Sequence, residues 1–175
     1  MSQLNTHFAK GLYGITPEWE DNSRLLTAIE EACRGGMRIL QWRQKSLSAA
    51  ESLTLALRAK EICHQYNCQF FINDSVQLAL DCKADGIHIA RDDGSVAERR
   101  KACAEQGQNL LIGVSCYNKM ELAKQAINDE VDYLAFGALF SSMVKPDAVS
   151  APLALFAETK AYLRDSDMAA NKAPA

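Results

Sequence analysis

The chain has 175 residues and a mass of 19.3 kDa, enough for one domain with a real core and little more. Hydrophobic residues make up 48% and charged residues 23%, with 19 Lys plus Arg against 22 Asp plus Glu, a net charge of −3. That balance excludes a basic nucleic-acid module as the default and argues against an anionic membrane surface as partner. No apolar run approaches the ~20 residues of a membrane span, and Met1 to Lys10 lack the basic-then-apolar order of a secretory leader. The expected compartment is the cytoplasm.

Strands and helices alternate along the chain. Gly11 to Thr16 reads as a first strand. Ser23 to Arg34 reads as a helix, with Leu25, Ile29, Ala32 and Cys33 on one face and Gly35-Gly36 ending it. Met37 to Arg43 is a second strand. Ser48 to Tyr66 is a long helix with Leu53, Ala56, Leu57 and Cys63 on its stripe, and Ser48 with Glu51 matches a capping box. Gln69 to Ile72 is a third strand, followed by a short helix carrying Val76, Leu78, Ala79 and Leu80. Gly86 to Ile89, Leu110 to Val114 and Val131 to Phe136 are further strands, separated by helices over Val96 to Glu105 and Asn118 to Asn128. Pro152 to Leu163 is a last helix, and Arg164 to Ala175 reads as an aperiodic tail.

Six strand-helix units in succession predict an α/β domain with a parallel sheet and right-handed crossovers. A doubly wound sheet and a TIM barrel both satisfy that pattern. The first turn lacks G-x-G-x-x-G, which removes support for a dinucleotide fold.

The cysteines Cys33, Cys63, Cys68, Cys82, Cys103 and Cys116 include no C-x-x-C pair. Cys63-His64 with Cys68 is the single local cluster. Cys63 fits the apolar face of its helix, so reduced core thiols are expected rather than a zinc site or disulfides.

Polar chemistry follows almost every strand. Gln41-Trp-Arg43-Gln-Lys45 follows the second, Asn73-Asp74 the third, and His88 with Arg91-Asp92-Asp93 the fourth. Ser115 follows the fifth, and Ser141-Ser142-Met-Val-Lys145 the sixth. In a parallel barrel all these ends point to one face, where active sites form. Arg43, Lys45 and Lys145 suit a phosphate-rich ligand. Asp74 and Asp93 are hard oxygen donors, and one or two carboxylates plus substrate phosphates is how Mg²⁺ is usually held. Asn73 and Ser115 add neutral hydrogen bonds. The joint reading is a diphosphate substrate clamped by Mg²⁺ and cations, with diphosphate as leaving group. Each piece alone has a plainer account: Asn73-Asp74 as a helix cap, Asp92-Asp93-Gly94 as turn chemistry, the cations as solvated loop charges, and His88 as a packed strand residue.

These motifs resemble the thiamine-phosphate synthase/TenI family over about Gly11 to Leu163. Leu12 to Thr16 looks like the family's first strand, and Gly35-Gly36 with Gln41-Trp-Arg43-Gln-Lys45 its Gly-Gly and Gln-x-Arg-x-Lys signature. Asn73-Asp74, Asp85-Gly-Ile-His-Ile-Ala-Arg-Asp-Asp93, Ile112-Gly-Val-Ser115, and Asp132-Tyr133 with Gly137 to Lys145 match further motifs in order. The resemblance implies a TIM (β/α)8 barrel, of which this chain carries about six units in a single domain over residues 1–175.

The implied transferase reaction condenses 4-amino-2-methyl-5-(diphosphooxymethyl)pyrimidine with thiazole phosphate, giving thiamine phosphate and diphosphate. It implies that Gln41, Arg43, Lys45, Asn73, Ser115, Ser142 and Lys145 contact substrate. Lys145, Arg43 and Ser115 stand closest to the chemistry, and Asp74 and Asp93 hold Mg²⁺. The partners are small molecules, with no nucleic acid or membrane, and a homo-oligomer is left open. Three departures stand out. Arg91 replaces the commoner glutamine, and Ser142 and Val144 stand where two threonines are usual. The chain also stops where the family's seventh strand begins, with the loops that bind thiazole phosphate still to come. The chain alone is therefore expected to be inactive or very weak. A TenI-like thiazole tautomerase and a non-catalytic ligand- or partner-binding paralogue are the alternatives.

Overall fold

The computed structural model describes residues 7–90, 95–140 and 149–170. They form two compact units, Met1–Gly113 and Val114–Ala175. Among the described residues no helix is long and apolar enough to cross a membrane.

In the first unit, β1 (Tyr13–Ile15), β2 (Ile39–Trp42), β3 (Gln69–Asn73) and β4 (Gly86–Ile89) alternate with α1 (Asn22–Arg34), α2 (Ala49–Gln65) and α3 (Val76–Asp81). The helix α4 (Val96–Glu105) and the start of β5 (Leu111–Tyr117) complete it. The strands β1 to β4 pair in chain order, all parallel, with Ile39 beside Tyr13 and Gln69, and Asn73 beside His88. All four residues of β2 are buried, as a parallel strand covered on both faces requires.

Side-chain alternation divides the sheet. Leu40, Trp42, Phe70, Ile72 and Ile87 lie on the face toward the helices; each is at most 3% exposed, and Trp42 Nε1 donates to Ser52 Oγ of α2 at 3.2 Å. Burying such side chains contributes roughly 1.5–3 kcal/mol each. The other face carries Tyr13, Gln41, Phe71, Asn73 and His88. At its lower end Phe8, Tyr13 and Phe71 form an aromatic cluster, with the Phe8 and Phe71 rings edge-on at 5.9 Å. Gly86 sits against Phe71: a Cβ there would lie 2.2 Å from the ring and 2.6 Å from the Leu111 carbonyl oxygen, so close approach requires glycine.

The helices start where the caps direct. Ser48 makes the full capping box with Glu51, and Ser95 makes a second with Glu98, a pairing the sequence reading passed over. Gly36, at φ 97°, takes the left-handed turn that ends α1. Leu57 is 38% exposed rather than on the buried stripe, which runs through Ser52, Leu55, Ala56, Ala59 and Cys63 instead.

In the second unit, β5 and β6 (Tyr133–Phe136) are neighbours, with α5 (Met120–Asn128) and α6 (Ala154–Ala170). Cys116, Ala123 and Ala126 form its core, with Val114, Leu122 and Phe136 packed around them. The helix α6 runs to Ala170, through residues expected to be an aperiodic tail. Residues 164–170 contain no Gly or Pro, and Ala and Arg are good helix formers, so nothing breaks the helix at Leu163.

Candidate functional site

Of the polar residues expected to converge, Gln41, Asn73 and Asp74 meet at the carboxyl ends of β2 and β3. Gln41, 3% exposed, donates from Nε2 to Asn73 Oδ1 at 3.1 Å. Asn73 in turn donates from Nδ2 to the Asp74 carboxylate. This chain of three side chains satisfies polar groups that would otherwise be costly to bury. Asp74 has φ 61°, and its backbone N–H donates to the His88 carbonyl at 2.9 Å. A non-glycine residue in the left-handed region costs about 1 kcal/mol or more, least for Asn and Asp, and such positions cluster at functional sites. Ser75, not Asp74, caps α3, accepting from the Leu78 N–H at 3.2 Å. Helix capping therefore does not account for the aspartate.

Arg43 and Lys45 leave the end of β2 in a loop that two residues of the first strand's exit hold. Thr16, 4% exposed, accepts from the Arg43 N–H at 2.8 Å and donates its hydroxyl to the Arg43 carbonyl at 3.1 Å. Glu18 accepts from the Lys45 N–H at 3.0 and 3.1 Å and pairs with the Arg43 guanidinium at 3.4 Å. Neither Thr16 nor Glu18 was singled out from sequence. Both follow a strand, so the rule that selected Gln41 and Asn73 applies to them equally.

His88 lies beside Asn73 in the sheet register. Burial alone lowers its pKa from the ordinary 6.5 to about 4, so its imidazole is neutral at pH 7. Read from sequence as a packed strand residue, it stands in the same polar row as Asn73.

A cavity of about 560 Å³ opens at these strand ends, walled by Trp42, Arg43, Lys45, Asn73, Asp74 and Leu78 among others. Gln41 is outside its lining, because Gln41 and Trp42 point to opposite faces of β2. The cavity runs toward α2 and α3, with Asn73 and Asp74 in its wall, and Gln41 joins them through Asn73 from outside the lining. The hydrogen-bonded chain, not the cavity's centre, marks the polar site.

Ser115 lies half-buried on β5 in the second unit. Asp93, Arg91, Ser142, Val144 and Lys145 lie outside the described residues. Of the two expected Mg²⁺ ligands, Asp74 is the one among the described residues. Its carboxylate is a hard oxygen donor held by Asn73, and that chemistry fits Mg²⁺.

Comparison with known proteins adds an independent line. Residues 12–169 match the family model described as thiamine monophosphate synthase. The thiamine-phosphate synthase of Bordetella avium is 46% identical over 162 residues, which are 92% of this chain and 73% of that protein. That of Chromobacterium violaceum is 42% identical over 152 residues, 87% of this chain and 72% of the relative. The solved thiamine phosphate pyrophosphorylase of Pyrococcus furiosus superposes with a TM-score of 0.71 at 28% identity, covering 85% of this chain and 68% of that one.

Proposed function

This chain belongs to the thiamine-phosphate synthase family, a transferase family with a TIM-barrel-type fold, and on that premise we propose how its residues serve the reaction. The substrates are an aminopyrimidine diphosphate and a thiazole phosphate, and the products are thiamine phosphate and diphosphate. The bond from the pyrimidine methylene to the diphosphate oxygen breaks. The thiazole nitrogen forms the new C–N bond, and diphosphate carries away the electron pair.

The observation that best supports this reading is the Gln41–Asn73–Asp74 hydrogen-bond chain beside Arg43 and Lys45. Gln41 and Asn73 lock each other's amide orientation, which leaves Asn73 one acceptor-satisfied and one donor-satisfied edge in a fixed pose. Fixed donors cost no reorganisation as charge develops on the leaving group. Arg43 presents a planar fork to phosphate oxygens, and Lys45 a point charge. Asp74, with Asp93, would hold Mg²⁺, which when bound neutralises the diphosphate. By the family resemblance, Ser115 would contact the diphosphate or the pyrimidine, Lys145 the pyrimidine diphosphate, and Ser142 the thiazole. His88, neutral, stands beside Asn73 in this row without contributing charge. The protein acts on small molecules, and we place it in the cytoplasm.

The test is to mix both purified substrates with Mg²⁺ and follow thiamine phosphate and diphosphate. Formation of both, slow for this chain alone and ceasing on chelating Mg²⁺, is the expected result. Isomerisation of the thiazole alone, with no metal requirement, would overturn the proposal in favour of a tautomerase.

A further inference from the structure

A second cluster sits at the opposite end of the same strands. Cys33 occupies the last turn of α1, Cys63 the last turn of α2, and Cys68 the residue before β3. They are 30 and 5 residues apart in sequence, yet their three Sγ atoms all lie within 4.8 Å of one another. Cys33 and Cys63 are 4.0 Å apart. The three are 3%, 0% and 1% exposed. All are free thiols.

We propose that Cys33, Cys63 and Cys68 form a binding site for a soft monovalent metal ion, Cu(I), in three-coordinate thiolate geometry. Three arguments carry this. The first is size. With metal–sulfur bonds of about 2.3 Å, a trigonal site has sulfur–sulfur edges of about 4.0 Å. One edge already has that length, and the others need to shorten by less than 1 Å.

The second is donor number and type. Among the described residues no His, Asp, Glu or further Cys joins the cluster. His64, next in sequence to Cys63, is turned to Asp85 at 2.8 Å. Three sulfurs without a fourth protein donor disfavour tetrahedral Zn²⁺, while soft thiolates select Cu(I).

The third is electrostatic. A Cu(I) ion offsets one of the three thiolate charges that form where the last turns of α1 and α2 meet. Each thiol that ligates as thiolate releases one proton to solvent, and copper remains Cu(I), so no oxidant or reductant is consumed. Gly35, Gly36 and Asn67 beside the cluster are exposed, which puts the site within one turn of solvent. A bound ion would tie α1, α2 and β3 together.

The experiment adds Cu(I), as its acetonitrile complex under anaerobic conditions, to the reduced full chain in competition with a chromophoric Cu(I) chelator. One Cu(I) retained per chain is expected, with a rise in melting temperature as the ion binds the native state. Cys33→Ser, Cys63→Ser and Cys68→Ser should each weaken retention by about tenfold or more, some 1.4 kcal/mol. Cys82→Ser and Cys103→Ser, buried elsewhere, should leave it unchanged. Loss of all copper to the chelator by the wild type would overturn the proposal, as would retention that depends on Cys82 or Cys103. Should a serine variant fail to fold, X-ray absorption of the wild-type complex decides instead. Three sulfurs at about 2.3 Å support the site, and oxygen or nitrogen neighbours refute it.

Discussion

The two ends of the strands in the first unit make opposite use of burial. At the carboxyl ends, Gln41, Asn73, Asp74 and His88 bring polar atoms into a covered row, and hydrogen bonds and a left-handed aspartate hold them there. At the amino ends, Phe8, Tyr13 and Phe71 pack as rings and Cys33, Cys63 and Cys68 pack as thiols. One end is built from hard, charged and hydrogen-bonding groups suited to a phosphate ester and Mg²⁺. The other offers soft sulfur and apolar rings. The contrast shows how one sheet separates stability from chemistry: residues at the lower end can be exchanged at the cost of packing, and residues at the upper end at the cost of turnover.

Substitutions at the two ends test that separation. The largest effect is expected from Asp74→Asn, which keeps tolerance of the left-handed backbone while removing the charge. In the synthase assay, kcat/KM should fall about a hundredfold or more, with circular dichroism and melting temperature nearly unchanged. Turnover like that of the wild type would remove Asp74 from the metal site and blur the contrast. Gly86→Ala addresses packing. Its Cβ would strike the Phe71 ring and the Leu111 carbonyl, so a loss of about 1–3 kcal/mol of stability is expected by denaturant titration. An unchanged midpoint would mean that the Phe71 contact yields freely.

Arg43→Ala should raise KM for the pyrimidine diphosphate about tenfold, near 1.4 kcal/mol, and change kcat less. Thr16 and Glu18 hold the loop through backbone atoms as well as through the side chain, so the loop itself should persist. A fall in kcat at constant KM would instead place Arg43 in the transition state alone. At neutral pH the smallest effect belongs to His88. Its pKa is lowered to about 4 by burial, against an ordinary 6.5. Between those values the unfolded chain binds more protons than the native one, so stability rises with pH through that window and is level above it. His88→Gln should flatten that slope in urea titrations from pH 4 to 6.5. A slope equal to that of the wild type would show that other groups set it.

Much of this was legible in the order of residues. The helix α4 and strand β4 fall on their expected bounds, and the capping box at Ser48 forms as read. These features are local: a cap, a period or a glycine acts within a few positions. Gln41, Arg43, Lys45, Asn73 and Asp74 lie at or just past the carboxyl ends of β2 and β3 as expected, since polar residues at the end of a buried strand stand out in one dimension. Leu57 was misplaced because helical spacing defines a stripe but not its centre, which depends on what packs against it.

The sequence by itself therefore determined the alternation of elements, the Ser48 cap, the family and the polar inventory. Only the tertiary structure decided which of those groups touch. Gln41 meets Asn73 across 32 residues, Thr16 and Glu18 hold the Arg43 loop across 27, and Cys33 joins Cys63 across 30. Each contact is set by the register of parallel strands and the angle at which a helix returns over them. Those quantities arise from packing many residues at once, and no short stretch of chain encodes them.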